Sequence, residues 1–200
     1  FGEFINSPYL YIALVGVAGI VSFILAAGVK DGIEKAAKIL MPALLIMLVL
    51  MVLFVLSLDN AMAGVTFFLV PDINKITPSV VNGALSQAFF SLSLGMGILL
   101  TYGSYINKQT NIPNSAKLVA ITDTGVAFIA GLMILPAVFS FNPEVNPSEL
   151  SDSSVSLIFT FLPKIFLALQ TSLGYVGASA VAAFFFLLVF FAAITSLVSI

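Results

Sequence analysis

The sequence predicts an all-α integral membrane protein. Hydrophobic residues fill 60% of its 200 positions and charged residues only 8%, whereas about a quarter of the residues in a soluble domain are charged. The mean hydropathy of the chain is +1.18. Its apolar residues fall into runs close to or above the roughly 20 residues that a helix needs to cross a bilayer. We therefore expect five transmembrane helices, over about 9–29, 39–58, 80–106, 117–139 and 174–200.

A short charged connector separates the first two spans. Ser7 and Pro8 precede the first span in an arrangement typical of a helix start. The connector 30–38 carries both lysines and acidic residues, and it can itself form a helical turn or two. Pro42 follows, and we expect it in the first turn of the second span, because its missing amide donor does little harm there.

Two longer polar connections separate the later spans. Residues 59–79 contain the pairs Asp-Asn, Pro-Asp and Thr-Pro, which predict a loop with short helical pieces. Residues 140–173 begin with turn signals, and their second half, 156–169, predicts an amphipathic or re-entrant helix that is too short to span comfortably. A tight turn over 107–115 links the third span to the fourth.

Lysine placement predicts the side of the membrane on which each connection lies. Five of the seven lysines lie at the connectors before the second span and before the fourth. Lys75 and Lys164 are the two that lie in the longer connections. Because cytoplasmic loops carry the excess of positive residues, we expect 59–79 and 140–173 to be extracellular.

The third span is broken near its middle. Hydroxyls and glycines occupy the depth of the membrane centre there, at Ser91, Ser93, Gly95, Gly97 and Gly103. Glycine lowers helix propensity, and a break frees backbone groups that hydrocarbon cannot satisfy. Such breaks are tolerated where the backbone lines a polar cavity, and they indicate the binding site of a transporter. The alternative is a packing face, since small residues also let membrane helices approach closely.

The residues around this break resemble a known family. The stretch Phe89-Phe-Ser-Leu-Ser-Leu-Gly-Met-Gly-Ile-Leu-Leu-Thr-Tyr-Gly-Ser-Tyr105 looks like the unwound sixth helix of the neurotransmitter:sodium symporters. Further stretches resemble the same family in the same order, at Val29–Pro42, Phe67–Ile76 and Phe191–Ser196. The resemblance implies that the chain is an internal piece covering helices four to eight. The rest of that polypeptide, helices one to three and nine onwards, is then needed for function.

The resemblance also implies a fold and an activity. The fold is of the leucine-transporter type, with inverted repeats whose broken helices hold a substrate and two sodium ions. The activity is sodium-coupled symport of an amino acid by alternating access, and the protein is not expected to be an enzyme. The resemblance also implies that the protein is a multi-pass protein of the plasma membrane, the inner membrane of a bacterium or archaeon, in contact with the lipid bilayer.

Residues of this sequence match the sodium ligands of that family. Ser91, through its carbonyl and hydroxyl, and Asp123 match the first sodium site, while Ala192, Thr195 and Ser196 match the second. Asp123 is the only charged residue well inside a span, and an unpaired carboxylate there is costly, so a sodium ion is a fitting partner. Because the family usually has asparagine at this position, the fixed charge of Asp123 implies that chloride is not needed.

Both sodium assignments have a simpler alternative. Asp123 is near enough to the cytoplasmic turn to pair with Lys117. Hydroxyls in membrane helices mostly bond back to carbonyls of their own helix, so Thr195 and Ser196 can be structural. Their spacing from Ala192 also lets all three face one point on a helix, and the family match favours the sodium site.

The substrate is expected at the same break. Backbone amides and carbonyls freed between Ser91 and Gly95 can bind the carboxylate and ammonium of an amino acid. The flexible glycines beside Met96 leave room for a large side chain, so we expect a bulky apolar or aromatic amino acid. Phe90 taken alone can be ordinary core. The residues assigned to the substrate are Phe90, Ser91, Ser93, Leu94, Gly95, Met96, Ser196 and Ile200.

Composition excludes several other classes of function. The chain has no cysteine and no histidine, which excludes thiolate chemistry and Ser-His-Asp hydrolysis and leaves no ligand set for zinc. Its net charge of −2 and the lack of a basic face argue against binding to nucleic acid. Two alternatives to a transporter stay open, an ion channel and a non-transporting scaffold or receptor. A channel needs a continuous polar file, and a scaffold needs no broken helix.

Overall fold

The chain folds as a set of helices. The computed structural model describes residues 6–27, 32–95, 97–144 and 154–199, and within these ranges there is no strand. In chain order the helices are α1 (Tyr9–Ala27), α2 (Gly32–Leu56), α3 (Ala61–Leu69), α4 (Pro78–Ser91), α5 (Ile98–Tyr105), α6 (Ile112–Phe141) and α7 (Ser154–Ser199), with a 3-10 turn at Ile73–Lys75.

Several helices are long and apolar enough to cross a membrane. Among the described residues these are Lys38–Leu56, Ile112–Phe141 and Ile158–Leu197, and Tyr9–Ser22 is a shorter apolar helix. The apolar run 80–106 is divided into α4 and α5, which are 14 and 8 residues long. The all-helical membrane fold with one helix broken at its centre is thus confirmed.

Helix α2 starts before the apolar span that it contains, because the charged residues there are good helix formers. The second helix begins at Gly32, so most of the charged connector is helical, as expected, and is continuous with the span that begins near 39. Pro42 therefore lies inside α2 and not in its first turn. Lysine, glutamate and alanine all have high helix propensity, so the charges that mark the edge of the membrane do not mark the end of the helix.

Polar side chains cap the starts of α4 and α6. The Thr77 hydroxyl accepts a hydrogen bond from the Val80 amide at 3.4 Å, and Pro78 occupies the first helical position. The Asn111 side chain accepts from the Asn114 amide at 3.2 Å. Both caps satisfy amides that have no partner within their helix, and they fix where the two helices that carry the site begin.

The hydrophobic core joins α2, α6 and α7. The fully or nearly fully buried residues at its centre include Val55 on α2, Ala137 on α6 and Ile165 on α7. The cluster consists of Leu48, Met51, Val52, Val55, Met133, Ala137, Leu162, Ile165, Phe166 and Phe185. This core fixes α6, and with it Asp123, in the fold.

Helix α7 is a hairpin of two arms that meet at Gly174. That residue has φ 70° and ψ 171°, which no helix contains. The Phe166 ring lies 5.5 Å from the Phe185 ring, although 19 residues of straight helix would separate them by about 28 Å. The non-helical point is at Gly174, and Pro163 lies within the first arm. The second arm alone, from 175 to 197, is roughly 34 Å long, enough to cross a bilayer.

Helix α3 packs closely against α6. Gly64 is buried, and a Cβ atom built on it would lie 2.5 Å from Pro136 Cα and 2.7 Å from the Leu135 carbonyl oxygen. The Phe68 ring lies over Gly131 in the same contact. The two backbones therefore meet directly at Gly64, and only a residue without a side chain fits there.

Candidate functional site

A Schellman motif ends α4 in the middle of the broken span. The amide of Leu94 donates to the Phe89 carbonyl at 2.8 Å, and the amide of Ser93 donates to the Phe90 carbonyl at 3.1 Å. These are the two hydrogen bonds that define the motif. Ser93 occupies its left-handed position with φ 55°, where glycine is the usual residue. The helix therefore stops at Ser91.

Two glycines continue the break beyond the cap. Gly95 has φ 81° and Gly97 has φ 79°, values that glycine adopts at no steric cost. Gly97 is also the N-cap residue of α5. Left-handed residues at 93, 95 and 97 turn the backbone away from the helix path and account for the break predicted there.

The end of α4 contacts α6 through one pair of polar side chains. The Ser91 hydroxyl donates to the Asp123 carboxylate, with distances of 2.7 Å to Oδ1 and 2.9 Å to Oδ2. The two residues are 32 positions apart in the sequence and are those predicted for the first sodium ion. The structure brings them together at the break.

The surroundings of Asp123 favour an oxygen site over an ion pair. Asp123 is half-buried, and in the part of the chain that the structure describes its hydrogen-bond partner is Ser91 and not Lys117. Lys117 itself is exposed. A carboxylate and a hydroxyl are hard oxygen ligands of the kind that alkali and alkaline-earth cations prefer. The pair therefore offers oxygen ligands of the kind that a small cation needs.

A second group of oxygens lies on one turn of α7. The Thr195 hydroxyl donates to the Ala192 carbonyl at 2.8 Å, and the Ser196 hydroxyl lies 3.3 Å from the same oxygen. Both hydroxyls thus lie within hydrogen-bonding distance of the same carbonyl oxygen. The same bonds are those of the simpler alternative, in which the hydroxyls bond back to their own helix.

The residues predicted to bind the substrate lie partly at the break. Phe90, with 65% of its surface exposed, and Leu94, with 37%, flank the cap in this chain. Ser196 lies on α7, which packs mainly against α1, α2 and α6, so the structure does not group it with the break. Met96 and Ile200 lie outside the described residues.

The helix cap limits which backbone amides of the break can bind a substrate. The amides of Leu92, Ser93 and Leu94 all donate within the helix cap, so they are not available for a substrate carboxylate. The cap was not predicted, because the left-handed residue at a helix end is usually glycine. That pattern would place the end of the helix at Gly95 instead of Ser93. Nothing in the sequence marks Ser93 for this conformation.

The chain matches a family of known transporters over almost its whole length. The sequence pattern of the Sodium:neurotransmitter symporter family covers residues 5–200. An uncharacterized sodium-dependent transporter of Haemophilus influenzae is 43% identical over 162 residues, which are 80% of this chain and 34% of that protein. Another, from Methanocaldococcus jannaschii, is 36% identical over 194 residues, which are 96% of this chain and 38% of that protein. The chain thus spans about a third of the length of these relatives.

A solved structure agrees with these relatives in fold. The crystal structure of MhsT in complex with L-phenylalanine matches this chain with a TM-score of 0.76 and 42% sequence identity, over 90% of this chain and 38% of that one. The bacterial and archaeal relatives imply a multi-pass protein of the inner membrane. This chain belongs to the sodium:neurotransmitter symporter family.

Proposed function

We propose that the full-length protein couples the entry of sodium to the uptake of an amino acid by alternating access. The observation that carries this proposal is the hydrogen bond from Ser91 to both oxygens of Asp123. It places a carboxylate and a hydroxyl at the point where a membrane helix is broken. An intramembrane carboxylate needs a positive partner, and sodium is the cation on which the relatives of this chain depend.

Sodium binding at this pair would link two helices. Ser91 is the last residue of α4, and Asp123 lies on α6, which the core fixes. Their hydrogen bond is a direct side-chain contact between α4 and α6. An ion held by both residues would therefore fix the end of α4 and shape the break in which the substrate binds. Ion and amino acid would share one structural element, which is what coupling requires.

The substrate we propose is a bulky apolar or aromatic amino acid. Phe90, Leu94, Gly95 and the neighbouring Met96 would surround its side chain, and Ser91 and Ser93 would face its polar end. Ser196 on α7 and the nearby Ile200 in the sequence would complete the pocket. The similar protein MhsT was crystallised with L-phenylalanine, which supports this class. Donors for the carboxylate must come from outside residues 92–94, whose amides the cap uses.

Uptake by the full-length protein in proteoliposomes tests the proposal. Labelled phenylalanine should accumulate when an inward sodium gradient is applied, and unlabelled large apolar amino acids should compete better than glycine or alanine. Replacing chloride by gluconate should leave uptake unchanged, because Asp123 supplies a fixed negative charge. Uptake without sodium dependence would remove the symport mechanism. Sodium current without amino-acid accumulation would favour a channel. The absence of both sodium current and accumulation would favour a scaffold or receptor.

The turn of α7 at Ala192 is proposed as the second sodium site. Replacing Thr195 and Ser196 together by alanine removes two oxygens with little change in volume. The Hill coefficient of uptake against sodium concentration should then fall from about two towards about one, because it is limited by the number of coupled sites.

Thr171 offers a matched control for this change. Its hydroxyl also donates to a carbonyl of its own helix, that of Ala168, at 2.8 Å. Thr171→Ala removes the same kind of bond from the other arm of α7 and should leave the sodium dependence as it is. If the Thr195→Ala/Ser196→Ala variant behaves like the control, the two hydroxyls have only a structural role.

A further inference from the structure

Ser93 has an unusual backbone for its residue type. Its φ of 55° lies in the left-handed region, and Asn60 at the turn between α2 and α3 is the other non-glycine residue with positive φ among the described residues. Asparagine is one of the few residues that visit this region readily, whereas serine is not. The chain has glycine at the two later left-handed positions of the break, 95 and 97, but not here.

The conformation of Ser93 decides what happens to the Ser91 carbonyl. In a continuing helix each amide bonds to the carbonyl four residues before it, so the Gly95 amide would take the carbonyl of Ser91. The left-handed turn at Ser93 ends the helix ladder before that bond. The two hydrogen bonds of the cap use the carbonyls of Phe89 and Phe90. The carbonyl of Ser91 takes no part in them.

We propose that Ser93 is a positioning residue of the first sodium site, acting through its left-handed backbone and not through its hydroxyl. By ending α4 directly after Ser91, it presents the Ser91 carbonyl on the same residue whose hydroxyl contacts Asp123. This inference rests on the proposed sodium site at Ser91 and Asp123. It assigns Ser93 a task separate from that of a substrate ligand.

Two substitutions separate the backbone from the hydroxyl. Ser93→Gly removes the hydroxyl and favours the left-handed conformation, while Ser93→Thr keeps the hydroxyl and, being β-branched, disfavours that conformation. The two roles therefore predict opposite results. The measurement is equilibrium binding of ²²Na⁺ to the full-length protein in detergent, without amino acid, so that substrate contacts do not contribute.

A backbone role predicts a clear order of affinities. Ser93→Gly should bind sodium at least as tightly as the wild type, and Ser93→Thr about tenfold more weakly, because a smaller fraction of the protein has the capped helix end. Ser93→Asn is the check on side-chain size. Asparagine tolerates the left-handed region and is at least as large as threonine, so this variant should stay close to the wild type.

Two controls show that the effect passes through the sodium site. Asn60→Gly and Asn60→Thr change the same backbone preference at the α2–α3 turn and should leave sodium affinity unchanged. In the Asp123→Ala background, Ser93→Thr should cause little further loss, because changes that act on one site are not additive.

Different results would overturn the backbone role of Ser93 and the proposed sodium binding on which it rests. Weaker sodium binding by Ser93→Gly, or wild-type binding by Ser93→Thr, overturns the backbone role. A loss in Ser93→Asn equal to that in Ser93→Thr also overturns it, since side-chain size then explains both. Absence of sodium binding by the wild type would instead overturn the proposed function.

Discussion

Replacing Asp123 by alanine should weaken sodium binding about 10- to 100-fold, because a hydrogen bond or ligand contact to a charged group is worth about 1.5–3 kcal/mol. The change removes the one carboxylate at the break and leaves the Ser91 hydroxyl without its recorded acceptor. Sodium-driven uptake should fall in parallel, and raising the sodium concentration should restore part of it. The measurement is the sodium concentration that gives half-maximal uptake.

Asp123→Asn tests the charge apart from the shape. The amide keeps one oxygen for the ion but loses the negative charge that we propose makes chloride unnecessary. We expect weaker sodium affinity, which chloride should partly restore and gluconate should not. Equal uptake in both anions at all sodium concentrations would show that the charge of Asp123 does not replace an anion.

Asp72 is the matched control for both substitutions. It pairs with Lys75 at 3.7 Å, with about half of its side chain exposed, and exposed ion pairs contribute little. Asp72→Ala should change neither sodium affinity nor the response to chloride. A comparable loss in this variant would mean that the effect of Asp123 is a general one of charge on the folded protein.

Gly64→Ala should lower the free energy of unfolding by about 1–3 kcal/mol, the usual cost of overpacking. The added Cβ would meet backbone atoms of Pro136 and Leu135 at 2.5–2.8 Å, and backbone cannot move aside as a side chain can. Helices α3 and α6 would have to separate. The thermal unfolding midpoint of the purified full-length protein should therefore fall.

Gly131→Ala gives the comparison within the same interface. Its added Cβ would also come within 2.5 Å of a neighbour, but that neighbour is the tip of the Phe68 ring, which can rotate. The destabilisation should be clearly smaller than for Gly64→Ala. Equal losses would show that the contact between α3 and α6 adapts as a whole and is not fixed at Gly64.

The position of the break could be read from the sequence, but its geometry could not. Serines and glycines inside an apolar run are costly for a simple span, and they located the break correctly. The contact between Ser91 and Asp123 joins residues 32 positions apart, so only the family resemblance indicated it. The cap at Ser93 depends on a φ value that no residue pattern marks.

The sequence indicated the boundary within α7, because the expected connection 140–173 ends and the fifth span begins at Gly174, but it did not show that the two arms fold back on each other. Both arms are apolar, and the polar run Gln170-Thr171-Ser172 and Leu173 precede Gly174. A glycine after a short polar run marks a break between two helices, but it does not give the angle between them. The core that holds the arms together, through the rings of Phe166 and Phe185, is a long-range contact that periodicity does not predict.

The central claim, that Ser91 and Asp123 hold a sodium ion, is tested most directly by ²²Na⁺ binding to the Thr195→Ala/Ser196→Ala variant of the full-length protein. Removing the proposed second site leaves the first site as the one that binds. We predict saturable binding of one sodium ion per protein, and loss of that binding when Asp123→Ala is added. Saturable binding that persists undiminished after Asp123→Ala would contradict the assignment of this site.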